Sequence, residues 1–246
     1  MATSTAPPTP PTDLPTTIPP TTTHTHTVIF FHGRGGTASS HSPFTAFPSF
    51  RWVFSQAPTQ RCSSLPATWP QCFNVHDTSD SGAREVTVLN GRWGRVLLAG
   101  ISIGAATSVH AVLNLPDIPS QAGGRLDALL LFCGRCPFDG RPLGEMRAVL
   151  GLETTGWGDL SAVLNGTPVL LEHCADDRTV PVANGRCMRD TLRAFGGKVE
   201  RCEYPEGGHW FCSPQGMDDF VAFVCGNVLG VDLPEVAVDA DAMDMS

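Results

Sequence analysis

Three residue types recur along this chain in an order that suits acyl transfer to a serine. Gly100-Ile101-Ser102-Ile103-Gly104 is a G-x-S-x-G run. A serine hydroxyl is a weak nucleophile until a neighbouring base removes its proton, and that base needs an acid to hold the correct tautomer. Candidates for the acid are Asp176 and Asp177, in a loop that reads His173-Cys174-Ala175-Asp176-Asp177-Arg178-Thr179-Val180-Pro181. The candidate base is His209, in Pro205-Glu206-Gly207-Gly208-His209-Trp210. Behind a G-x-S-x-G turn on a parallel sheet, the partners follow in the order serine, acid, histidine, each after a later strand. A single loop aspartate or histidine is ordinarily a solvated turn residue; ordered together behind the turn, the three read as one catalytic set. The same chemistry needs two backbone N–H groups aimed at the developing oxyanion. Ile103, directly after the serine, supplies one. Arg34 is expected to supply the other, from the loop His32-Gly33-Arg34-Gly35-Gly36, whose glycines let the backbone approach a substrate closely.

Such residues need elements that bring them to one place. Residues 28–31, 51–54, 95–99, 126–132, 168–172 and 199–204 are short, mostly apolar and bounded by Gly, Pro or Asp, as buried parallel strands are. Residues 103–115, stopped by Pro116, and 184–195, stopped by Gly196-Gly197, read as helices. Ser213 is expected to cap a third, with Pro214 at its first position and Phe220, Val221 and Val224 on one face. Strands alternating with helices imply the α/β class, a mostly parallel central sheet with helices on both faces. Ser102 then stands in a tight turn between a strand and a helix, where a Cβ at either flanking glycine would crowd its neighbours.

A length of 246 residues suits one such domain, residues 28–229, between two tails. Residues 1–27 are rich in Thr and Pro with little to bury, and are expected to form a disordered or polyproline-like tail that includes His24-Thr25-His26. Residues 230–246 are acidic and unpatterned, and are expected to fray. The formal charge is −8 and Lys198 is the one lysine; with no Lys/Arg cluster in the sequence, nucleic acid is not an expected partner. No apolar run is long enough to span a bilayer, which argues against stable membrane insertion. Nine scattered cysteines in a chain without an apolar leader read as reduced thiols in a cytoplasmic protein. Cys133-Gly134-Arg135-Cys136 has CxxC spacing, but no second Cys/His pair stands at a zinc-like distance, so it reads as two thiols at a strand end. For Trp157, Trp210 and Phe211, core packing explains an aromatic residue as well as a pocket-lining role does.

With these pieces in place the chain resembles the phospholipase/carboxylesterase family that includes the acyl-protein thioesterases, in particular its fungal branch. The matching pieces are His32-Gly33-Arg34-Gly35-Gly36, Phe54-Ser55-Gln56-Ala57-Pro58, Trp69 with Phe73 and Asp77, the serine run, Asp177-Arg178-Thr179-Val180-Pro181 and Gly208-His209. The resemblance implies an α/β-hydrolase fold and hydrolysis of carboxylic esters or acyl thioesters, with S-acylated protein or lysophospholipid among the substrates and no metal or organic cofactor. It also selects Asp177 as the acid, four residues before the proline of the D-x-x-V-P run. Three departures stand out. Ile103 occupies the position where the family usually has Gln, and Gly36 one where thioesterases often have Asp. Residues 78–94 replace a long amphipathic helix that crosses over the sheet, and Val86-Thr87-Val88 is β-branched. The crossover helix before the nucleophile strand is therefore expected to be shortened or missing, leaving one sheet face under-covered. The alternative reading follows from that gap: a catalytically impaired or unstable relative acting at most as a binding protein.

Overall fold

The computed structural model describes residues 15–36, 47–57, 59–61, 68–70, 93–113, 124–137, 145 and 162–231. Residues 78–92, Phe73, Asp77 and Trp157, all singled out from the sequence, lie outside the described residues, as do 1–14 and 232–246. Nine strands are described: β1 (Thr16–Ile18), β2 (His26–Phe31), β3 (Phe50–Phe54), β4 (Thr59–Arg61), β5 (Thr68–Pro70), β6 (Val96–Ile101), β7 (Ala128–Phe132), β8 (Pro168–Cys174) and β9 (Lys198–Tyr204). Seven make one sheet in the order β1-β3-β2-β6-β7-β8-β9, and β4 pairs β5 separately. Every neighbouring pair in the large sheet is parallel except β1 with β3.

The apolar runs alternate in space although they do not alternate in letters. All residues of β6 and β7 are buried, and successive side chains point to opposite faces of the sheet. Val96, Leu98, Leu129 and Leu131 pack with helix α1 (Ile103–Leu113), helix α2 (Ala162–Gly166) and helix α3 (Val182–Ala194), through Val109, Val112, Val163, Leu164, Met188 and Leu192. Leu97, Ala99, Leu130 and Phe132 face the other way and pack with Phe47, Phe211 and helix α4 (Gln215–Val224), which contributes Phe220, Phe223 and Val224. The central strands are buried on both faces, through Val28, Leu97, Leu130 and Leu170 on the α4 side and Val96, Leu129, Leu131 and Val169 on the α1 side; residues 78–92, where the crossover helix is expected to be shortened or missing, lie outside the described residues. At α4, Pro214 itself takes the N-cap and no side-chain cap bond forms, so Ser213 does not play the capping role its position suggested.

The largest correction concerns the N-terminal segment. Thr16–Ile18 pairs antiparallel with β3, Ile18 lying opposite Trp52, and His26 and Thr27 are buried at the start of β2. His26 Nε2 lies 3.2 Å from Asp127 Oδ2, and Thr21 and Thr22 donate their N–H groups to Pro48 O. Ordered structure therefore begins well before residue 28. Residues 15–27 have little of their own to bury, but an existing strand offers them a ladder of backbone partners. Folding also gathers cations the sequence keeps apart: Arg186 makes a two-pronged pair with Glu203 at 2.9 and 2.7 Å, and Arg201 contacts the same carboxylate.

Candidate active site

The six parallel strands all end at one edge of the sheet, and the strand order reverses between β2 and β6. From β2 the chain steps outward to β3; from β6 it steps the other way through β7, β8 and β9. A reversal of this kind opens a crevice outside the carboxyl ends of the two central strands. Ser102 follows β6 and the loop of Gly33 to Gly36 follows β2, so both border that crevice.

Ser102 joins β6 to α1 with no spacer. Its φ is +59°, a left-handed conformation that costs a non-glycine residue roughly 1–2 kcal/mol and that the surrounding structure must impose. The imposition is visible. Ser102 N–H donates to Phe132 O at 2.9 Å, and its carbonyl accepts from Ala105 N–H at 3.1 Å. A Cβ on Gly100 would run into the Gly104 carbonyl, and one on Gly104 would run into the carbonyl of Phe31 in β2. The close approach of helix to strand drives the chain through one sharp turn, with the serine at its apex.

The loop after β2 lies directly against that turn: a Cβ on Gly33 would sit 3.4 Å from Ser102 Cβ. Gly36 N–H donates to Gly33 O at 3.0 Å, closing a turn around Arg34 and Gly35, and Gly35 has φ +74°. His32, fully buried, fastens this loop to the end of β3. It accepts from Ala57 N–H through Nε2 at 3.1 Å, which places its proton on Nδ1, and Nδ1 donates to Gly33 O at 2.7 Å. Ile103 opens α1, where the first N–H groups of a helix precede the i→i−4 ladder and stay available to a ligand.

Asp177 and His209 meet on the other side of the crevice, in the loops after β8 and β9. His209 Nδ1 donates to Asp177 Oδ2 at 2.7 Å, with the carboxylate buried and the imidazole partly open to solvent. Asp177 Oδ1 accepts from Thr179 N–H at 2.8 Å and Val180 N–H at 2.9 Å. Asp176 does different work: its Oδ1 accepts from Gly208 N–H at 2.8 Å, tying the loop after β8 to the loop after β9. The segment after β7 links this pair to Ser102. Phe132 O holds Ser102 N–H, and the next residue, Cys133, puts its Sγ within 4.8 Å of ligand atoms on both Asp177 and His209.

Two supporting residues carried no functional signal in the sequence. His173, at the end of β8, donates from Nε2 to Val180 O at 2.8 Å and lies 3.3 Å from Asp177 Oδ2. Burial lowers its pKa, so it stays a neutral donor, and its Nδ1 has no partner among the described residues. Helix α3 packs straight onto the ring; a Cβ on Gly185 would come 2.5 Å from Nδ1. Cys133, which the sequence offered only as half of a CxxC pair, has φ +45° and donates from Sγ to the carbonyl of Trp210, the residue after His209, at 3.2 Å. Burial first, and then the charges of Cys174 and Asp177, push its thiol up to about 12. It is therefore a protonated hydrogen-bond donor rather than a thiolate. A cation seated on Cys133, Asp177 and His209 would have to strip that proton and displace the donors that already fill the carboxylate, so the donor set suits a hydrogen-bonded cluster better than a metal site.

No family model and no curated protein matches the chain. Solved structures do. Acyl-protein thioesterase 2 from Zea mays superposes with a TM-score of 0.69 at 21% identity, over 88% of this chain and 100% of that one. SOBER1 from Arabidopsis thaliana superposes at 0.65 with 20% identity, over 82% and 98%. A phospholipase/carboxylesterase from Dyadobacter fermentans superposes at 0.58 with 17% identity, over 89% and 97%. The chain has the α/β-hydrolase fold. In this hydrolase fold, Ser102, the loop of Gly33 to Gly36, Asp177 and His209 occupy the carboxyl edge of the sheet, and among the described residues no helix is long and apolar enough to cross a membrane.

Proposed function

We propose that this hydrolase-fold chain is a serine hydrolase that cleaves carboxylic esters and acyl thioesters. The observation that carries the reading is the strained apex of Ser102, at the strand-order reversal, on the same sheet edge as a buried aspartate hydrogen-bonded to a histidine. Because His209 Nδ1–H donates to Asp177 Oδ2, the imidazole keeps its proton on Nδ1 and Nε2 offers the lone pair that acts as base. Ser102 Oγ attacks the acyl carbonyl while His209 Nε2 takes the hydroxyl proton. The N–H groups of Ile103 and Arg34 receive the developing oxyanion. Collapse breaks the bond to the alcohol or thiol, which leaves with the proton held by His209. Water, deprotonated by the same imidazole, then releases the acid from the acyl-enzyme. No metal or organic cofactor enters these steps.

The esterase and thioesterase names of the structural neighbours point to the same substrate class, and the motif resemblance extends it to S-acylated proteins and lysophospholipids. A catalytically impaired relative acting at most as a binding protein is the second reading, and it rests on the shortened crossover of residues 78–94. The test is covalent labelling with a fluorophosphonate, read by mass spectrometry beside Ser102→Ala. A single adduct on Ser102, absent from the variant, is the expected result; a folded protein that takes no adduct would sink the proposal.

A further inference from the structure

We infer that Trp210 selects the leaving group, favouring alcohols and thiols that present a flat apolar face. The inference rests on the hydrolase reading and adds a specificity element to it. Trp210 and Val231 are the two exposed large hydrophobic residues among the described ones, and Trp210, 51% exposed, directly follows the base. Its neighbour behaves oppositely. Phe211 is buried, 4.8 Å edge-to-face from Phe132 of β7 and 6.3 Å from Phe30 of β2. The Trp210 ring stands against Phe211 at 5.3 Å and 77°, and its backbone carbonyl accepts from Cys133 Sγ at 3.2 Å, with Cys174 Sγ at 3.9 Å from the same oxygen. Ring and backbone are both held, so a ligand covering the indole has little conformational freedom to remove.

The chemistry decides which half of the substrate meets it. The proton that His209 takes from Ser102 must be delivered to the departing oxygen or sulfur, so that atom has to lie within hydrogen-bond reach of Nε2. The carbonyl oxygen is drawn the other way, toward the start of α1 and the loop after β2. A side chain adjoining the base therefore borders the leaving group rather than the acyl chain. A half-exposed indole rewards a partner that covers it with apolar surface.

Four esters separate the possibilities: ethyl and 2-naphthylmethyl acetate, and ethyl and 2-naphthylmethyl octanoate. The two alcohols are similar in acidity, so they differ mainly in apolar surface. In Trp210→Ala the naphthylmethyl-to-ethyl ratio of kcat/KM is expected to fall about tenfold with either acyl group, and Trp210→Phe should restore part of it. The deacylation rate, measured on the acyl-enzyme after the alcohol has gone, should show no dependence on which alcohol was used. A fall in the octanoate-to-acetate ratio instead, or no change in either ratio, would overturn the assignment. Failure of the hydrolase reading looks different: the parent protein would turn over none of the four esters and take no fluorophosphonate.

Discussion

The two walls of the crevice are built on opposite principles. On the Ser102 side, position comes from the absence of side chains: Gly33, Gly100 and Gly104 let strand, loop and helix approach until Ser102 has one place to go. On the side of Asp177 and His209, position comes from side chains in excess. Asp177 has His209, His173 and two backbone N–H groups around its two oxygens, while Asp176 and Cys133 hold the His209 loop from either flank. A wall made by steric exclusion resists small perturbations and fails abruptly when something is added. A wall made of hydrogen bonds responds to protonation and to the exchange of single atoms.

That contrast can be broken most severely at Asp177. In Asp177→Asn the two backbone N–H groups on Oδ1 would claim the amide oxygen, turning the NH2 toward His209 Nδ1 and moving the imidazole proton to Nε2, where the base is needed. Ester turnover is expected to fall on the order of 10³–10⁴-fold with little change in melting temperature; a fall below tenfold would show that the acid–base wall does not act as assigned. Next comes Gly104→Ala, which adds one methyl where the Phe31 carbonyl already sits. Thermal or urea unfolding should show a loss of roughly 3 kcal/mol or more, and a protein of parental stability would show the turn to be less tight than described.

The smallest effect sharpens the contrast through pH. Glu172 of β8 is buried beneath α4; desolvation, and then the charge of Asp219, push its pKa up to about 8 from 4.5. The folded protein keeps this proton between about pH 4.5 and 8 while the unfolded chain releases it. Stability is therefore lost as the pH rises through that window. Glu172→Gln should melt several degrees above the parent at pH 8 and close to it at pH 4.5. A gap of equal size at both pH values would remove the protonation argument.

How much of this was legible from the letters followed the same division. Gly100 to Gly104 states its turn outright, because steric exclusion is written in glycine, and Ser102 stands between a strand and a helix as the run predicts. The apolar strands were legible for a similar reason: burial on both faces leaves continuous hydrophobic runs. Side-chain networks leave no such trace. Nothing in a lone His173 or in Cys133 indicates that each would donate to a loop carbonyl beside Asp177 and His209, since one partner is brought back by the fold of the loop after β8 and the other arrives in the loop after β9. β1 was hidden for a related reason. Thr16–Ile18 has no strand pattern of its own and takes its conformation from β3, and the same borrowed order draws His26 from an apparent tail into contact with Asp127.

The borrowed strand has a consequence for how copies of this protein treat one another. A parallel sheet ends in rows of unpaired N–H and C=O groups, and a flat apolar edge invites another chain to add itself. At one end, β1 covers β3, with its Trp52 and Phe54, and is flanked by Pro15, Pro19 and Pro20, which have no N–H to continue a ladder. At the other end, β9 carries Lys198, Glu200, Arg201 and Glu203 along its length. Trimming the chain to begin at Val28 would expose β3 as a bare edge, and the cost would appear first as aggregation during expression rather than as a change at the crevice.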